Sequence, residues 1–145
     1  MPYESHKTYT HNAGLSCVFR QWRADSHCRF LHGYALQVEI TMGCAALDKR
    51  NWVVDFGAFK ALKSWLEQTF DHKTVVALDD PKLGEFQALE RKGLVQLTTV
   101  EHVGCEAFAK LIFDHVKLLV PMGDDAFVRS VTVREHAGNA ATYRE

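Results

Sequence analysis

The 145-residue sequence holds only three prolines. It also has no internal repeat and no low-complexity tract, so nothing in it marks a linker or a disordered or fibrous class. Its four cysteines, Cys17, Cys28, Cys44 and Cys105, form no C-x-x-C pair. In a chain read as intracellular, that argues against a disulfide framework and leaves each thiol as a buried small hydrophobe, a nucleophile or a ligand. No apolar run approaches the roughly 20 residues of a membrane span. The opening "MPYESHKTYT" lacks the charged-then-apolar layout of a secretory leader, and the expectation is a cytoplasmic protein with no membrane partner. A basic excess is missing too: 17 Lys and Arg stand against 18 Asp and Glu, a net charge of −1. That gives no field for gripping phosphate backbones, so nucleic acid is not an expected partner.

What is present is an ordinary globular composition, 47% hydrophobic and 24% charged, at a length that suits one domain over residues 1–145. From Tyr34 the sequence alternates, with Leu36, Val38, Ile40 and Met42 on one face and Gln37, Glu39 and Thr41 on the other, which predicts a half-buried strand. Leu15, Cys17 and Phe19 share a face in a less regular segment upstream, its antiparallel partner. "VVDF" leads into a helix with Phe59, Leu62, Leu66 and Phe70 at helical spacing and Asp55 as its cap, ending near Asp71-His72. Residues 79–93 read as a charged surface excursion with a short helical turn at most. Thr98-x-x-Glu101 reads as a capping box opening a second helix, with Val103, Ala107 and Leu111 on its apolar stripe, stopped by Pro121 and Gly123. Phe127, Val131 and Val133 form a last strand whose face ends in Glu135. Helices interrupting runs of strands predict an α+β fold with an antiparallel sheet covered on one side.

The chemistry collects in a few places. Cys28 precedes His32 by four residues, and Arg20, Arg23 and Arg29 surround it; positive neighbours favour thiolate, so Cys28 suits a base or nucleophile. The three arginines also suit a polyphosphate. His32 and Tyr34 lie on one face at a strand mouth, where an H-x-H pair would offer two imidazoles to one metal. Asp71 is placed to orient the imidazole of His72 for proton transfer. Glu135 needs a donor partner, and a planar heterocycle edge with two parallel N–H groups would satisfy it.

The ordered set "CRFLHG", "VVDF", "DH", "TVE" and "REH" resembles the 6-pyruvoyltetrahydropterin and 6-carboxytetrahydropterin synthase family over most of the chain, from about residue 7 to Tyr143. The resemblance implies a tunnelling fold: a four-stranded antiparallel sheet with two helices on one face, the sheets of several subunits joining edge to edge into a barrel. The assembly is commonly a homo-oligomeric dimer of trimers with active sites between chains. It implies a proton-moving triad at Cys28, Asp71 and His72, and pterin contacts at Glu135 and Thr99, with Glu101 beside them. The three-residue gap between Cys28 and His32 is that of the carboxy branch. The implied activity is therefore 6-carboxytetrahydropterin synthesis from 7,8-dihydroneopterin triphosphate, on the route to 7-deazapurines such as queuosine precursors.

The family binds zinc through three histidines, of which this chain keeps His32. Tyr34 occupies the second position of the H-x-H pair and Cys17 the first-strand position. The expected metal shell is Cys17 with His32, completed by Cys28 or water, while Tyr34 serves as an acid or a donor to a substrate oxygen. A tunnelling-fold protein that binds a pterin or purine without turning it over is the alternative expectation.

Overall fold

A computed structural model describes residues 2–145. Eight strands and three helices follow in the order β1 (Tyr3–Tyr9), β2 (Ser16–Phe19), β3 (His32–Ala35), β4 (Gln37–Cys44), α1 (Lys60–Phe70), β5 (Lys73–Ala77), α2 (Leu83–Arg91), β6 (Leu97–Val100), α3 (Cys105–Leu119), β7 (Ala126–His136) and β8 (Asn139–Arg144). The larger sheet has the order β1-β4-β7-β8 and is antiparallel throughout. This is the four-stranded antiparallel sheet the family resemblance implies; of its strands the alternation predicts β4 and β7, while the Leu15–Phe19 segment lies in the other sheet. A second sheet, β3-β2-β5-β6, joins β2 to β3 antiparallel and runs β2-β5-β6 in parallel.

The strand expected from Tyr34 to Met42 is one ribbon shared by two sheets. It breaks at Leu36, whose N–H donates to the Leu15 carbonyl at 3.0 Å, and passes from β3 into β4. Leu36, Val38, Ile40 and Met42 are all fully buried. At ~1.5–3 kcal/mol for each such side chain, a one-residue slip of β4 would take Val38, Ile40 and Met42 off the core face and forfeit on the order of 5–9 kcal/mol, so the register is fixed.

Asp55 caps the start of the first helical stretch by accepting from the Gly57 N–H at 2.8 Å. Helix α1 then buries Leu62, Leu66, Thr69 and Phe70. The expected capping box is not one. Thr98 belongs to β6, where its β-branched neighbours pair in parallel with β5, and α3 starts only at Cys105 after Gly104 at φ 110°. Its buried stripe is Cys105, Phe108, Ala109, Ile112, Phe113 and Val116, not the Val103-Ala107-Leu111 line. The excursion at 79–93 contains the full helix α2. Phe108 lies edge-on to both Phe19 at 5.1 Å and Phe70 at 5.2 Å, so one ring of α3 ties β2 to α1. Among the described residues no helix is long and apolar enough to cross a membrane.

Candidate active site

Side chains directly opposite in an antiparallel pair share a face. The β2–β3 register sets Cys17 opposite Tyr34 and Phe19 opposite His32, so the two expected metal ligands, Cys17 and His32, lie on one surface with Tyr34. Phe19 supports them: its ring centre is 5.3 Å from His32 and 6.2 Å from Tyr34, and the last two rings stand perpendicular at 5.6 Å. The Nδ1 of His32 is 2.8 Å from the Phe30 carbonyl. A carbonyl only accepts, so Nδ1 carries the proton and the neutral ring leaves Nε2 bare.

Helix α3 brings in a residue that sequence reasoning left without a role. Gln21 Nε2 donates to the Val103 carbonyl at 2.7 Å, and a Cβ on Gly104 would lie 2.6 Å from that nitrogen. Glycine is required there by φ, and its missing Cβ leaves the Gln21 amide its place. Cys105 follows as the first helical residue, buried beside Glu135. Burial, then the Glu135 carboxylate, pushes the Cys105 thiol up to about 12. Tyr34 is also pushed up, first by burial, then by Glu135 and by the nearby Cys28 and Cys105 thiols. The ring of His136 lies 6.1 Å from that of Tyr34. Glu135, Tyr34 and Cys105 thus form one cluster, with Cys28 at its margin. Thr99 and Glu101 are not part of it. Thr99 is exposed in β6, and Glu101 is exposed beside a small cleft of about 140 Å³ with His102 and Lys110. The only sequence signal for Cys105 was its place in an otherwise apolar helical stripe.

Asp71 and His72 pair as expected, with Nδ1 donating to Oδ1 at 2.6 Å. His72 is held at φ 59°, an uncommon left-handed conformation for a non-glycine residue, and its backbone N–H donates to the Ser16 carbonyl at 2.7 Å. Its side chain is 85% exposed, on the rim of a cleft of about 490 Å³ lined by Ser16, Val18, Gly33, Tyr34 and Leu94. Cys28 sits in the single turn His27–Arg29, beyond the other end of β2, where its N–H donates to Ser26 Oγ at 3.3 Å. Four strand residues at about 3.3 Å each put roughly 13 Å between these backbone sites. One chain therefore does not bring Cys28 and His72 together.

The arginines are engaged elsewhere. Arg20 is paired with Asp80 and Arg23 with Asp79, which leaves Arg29, stacked 4.5 Å over Phe30, as the one of the three without a carboxylate partner among the described residues.

The sequence profile of the family described as 6-pyruvoyl tetrahydropterin synthase matches residues 8–145. The chain belongs to that family. It is 29% identical over 149 residues to the 6-carboxy-5,6,7,8-tetrahydropterin synthase of Aquifex aeolicus, a match covering 97% of this chain and 91% of that protein. It is 41% identical over 59 residues to the enzyme of the same name from Rickettsia typhi. That shorter match covers 40% of this chain and spans less than half, 43%, of the Rickettsia protein. Among solved structures, an uncharacterized protein of Wolinella succinogenes superposes with a TM-score of 0.79 at 19% identity, covering 99% of this chain and 98% of that one. The 6-pyruvoyl tetrahydropterin synthase of Caenorhabditis elegans gives 0.63 at 16% identity, covering 99% and 94%. These likenesses establish the tunnelling fold.

The donor set does not fit a family zinc. Three protein ligands and an open position make a catalytic zinc site, yet no three His, Cys, Asp or Glu side chains among the described residues converge to hold a metal. At the positions the family gives to zinc, His32 is the single imidazole. Cys17 faces it from β2 as a buried thiol. The expected pairing of Cys17 with His32 shares a face without acquiring a third donor.

Proposed function

We propose that this chain is a lyase of the 6-carboxytetrahydropterin synthase type, acting on 7,8-dihydroneopterin triphosphate with loss of acetaldehyde and triphosphate, on a route to 7-deazapurines such as queuosine precursors. The observation that carries the reading is the Glu135 cluster in a chain of this family, supported by the full-length likeness to the Aquifex synthase. A carboxylate at the end of β7, flanked by a tyrosine hydroxyl and by the first turn of α3, accepts a pair of parallel N–H groups from a flat pterin edge. Tyr34, held protonated by burial and by Glu135, is a hydrogen-bond donor toward an oxygen of the bound substrate.

Cys28 serves as the proton-moving thiol, and Asp71 with His72 as the second proton carrier. Because the latter pair lies past the opposite end of β2, the triad closes only when a neighbouring copy supplies His72 to the Cys28 side. A homo-oligomer does this: β1 and β8 are the free edges of the larger sheet, and edge pairing into a ring, as a dimer of trimers, removes those edges. Thr99 and Glu101, exposed on β6 and after it, remain candidates for substrate contact only from such a neighbour.

The incomplete donor set favours a second reading, a protein that binds a pterin or purine without converting it. Incubating the purified protein with 7,8-dihydroneopterin triphosphate and following triphosphate and acetaldehyde separates the two. Release of both products supports the lyase. Tight pterin binding with neither product eliminates it in favour of the binding protein.

A further inference from the structure

We infer that Asp79 and Asp80, on the connection between β5 and α2, clamp the loop that carries Cys28, with Arg20 as the positioning residue. The inference rests on the role of Cys28 given above and assigns a task to residues that touch no substrate.

The loop of residues 20–31 leaves β2 and returns as β3, and not one of its residues is buried. Of its hydrophobic residues Trp22 alone packs, half-buried, against the core, and a segment with so little apolar burial opens easily unless polar contacts hold it. Such contacts are concentrated in its first four residues, "RQWR". Arg20 Nε donates to Asp80 Oδ2 at 2.9 Å and its Nη2 to Oδ1 at 2.6 Å, a two-pronged pair of fixed geometry. The Asp80 side chain is 1% exposed, and its Oδ1 also accepts from the Lys82 N–H at 2.8 Å. Burial alone would push the Asp80 carboxyl up, but the bonds from Arg20 and Lys82 outweigh it and hold the group below its ordinary value.

The remaining guanidinium nitrogen of Arg20 donates to the carbonyl of Arg29, the residue after Cys28, at 3.3 Å. Gln21 N–H donates to the carbonyl of Cys28 itself at 2.9 Å, and the Gln21 side chain reaches the mouth of α3 at Val103. On the outer side, Trp22 Nε1 and Arg23 Nη2 each donate to Asp79 at 3.2 Å. The path from the β5–α2 connection to the thiol is thus Asp80, Arg20, then the turn at 27–29. The adjacent carboxylates of "DDP" read the spaced donors of "RQWR", and together they set where Cys28 stands relative to Glu135 and Tyr34.

The test uses Arg20→Ala and Arg20→Lys in the full chain and reads the rate of iodoacetamide labelling at Cys28 by mass spectrometry between about pH 7 and pH 10. Cys17, Cys44 and Cys105 are buried and report any global opening. Arg20→Ala is expected to change the Cys28 rate about fivefold or more with the buried thiols still unlabelled, and Arg20→Lys to recover part of the original rate. A Cys28 rate and pH profile within about twofold of the original in folded Arg20→Ala would overturn the inference. Should that variant fail to fold, Asp80→Asn keeps the side-chain volume and puts the same question with the same two outcomes. Labelling requires no turnover, so an inactive natural protein would defeat the proposed reaction while leaving the clamp intact. In an active protein, kcat of Arg20→Ala is expected to fall about 10- to 100-fold with KM little changed; a raised KM at unchanged kcat overturns the positioning role.

Discussion

Replacing Glu135 by glutamine isolates the charge of the proposed pterin anchor while keeping its size. Two N–H groups donating to a carboxylate contribute ~1.5–3 kcal/mol each, against ~0.5–1.5 to a neutral acceptor. Glutamine also turns one acceptor into a donor aimed at a donor. The expected loss is therefore about 2–3 kcal/mol, or roughly 30- to 150-fold in Kd. Titration of intrinsic fluorescence with 7,8-dihydroneopterin measures it directly. The same substitution has a second consequence that does not depend on ligand. Glu135 helps to hold the protons on Cys105 and Tyr34, so both groups should titrate lower in Glu135→Gln, though still raised by burial. Unchanged pterin affinity in a variant whose Tyr34 and Cys105 have shifted down would refute the anchor. It would show that the cluster is intact but is not where the heterocycle binds.

Alkaline stability gives an independent check on the buried thiols. Cys17 and Cys105 are both raised from 9.0 to about 12, so each holds its proton more tightly folded than unfolded. Their stabilisation is complete below pH 9 and is lost as pH climbs from there toward 12. Between pH 8 and pH 10 each forfeits on the order of 1 kcal/mol, and urea midpoints should fall accordingly, with about half the slope in Cys17→Ala; identical slopes would contradict the assignment. Tyr34→His restores an H-x-H pair opposite Cys17 and is expected to raise the zinc retained after dialysis well above that of the natural chain. Equal and stoichiometric zinc in both proteins would show that the donor set described here is not the relevant one.

The central strands of the larger sheet and α1 were legible because burial there follows a local period: Leu36, Val38, Ile40 and Met42 alternate, and Phe59, Leu62, Leu66 and Phe70 recur every three or four positions. The edge strands β1 and β8 are largely exposed and carry no such signal. The Asp71-His72 pair was legible because neighbours in sequence need no tertiary information to meet. What failed depended on partners far along the chain. Thr98-x-x-Glu101 has the residues of a capping box, but pairing of β6 with β5 claims it as strand, and the real helix start is set by Gly104 against Gln21, 83 positions away in the chain. In the second sheet β2 and β3 showed a face, but β5 and β6, of five and four residues, are too short for alternation to register. Arg20 and Arg23 looked like phosphate contacts because nothing local reveals that Asp79 and Asp80 fold back onto them. Cys105 carried no motif; its chemistry comes from Glu135, thirty residues later.

The ribbon that crosses between sheets at Leu36 has a mechanical consequence. Tyr34 stands two residues upstream of a strand whose every inward side chain is locked, so the hydroxyl cannot drift along the strand axis independently of the large sheet. In the edge-paired assembly proposed above, whatever aligns neighbouring copies through that sheet would also set the height of this phenol above the cleft, making assembly and site geometry one adjustment.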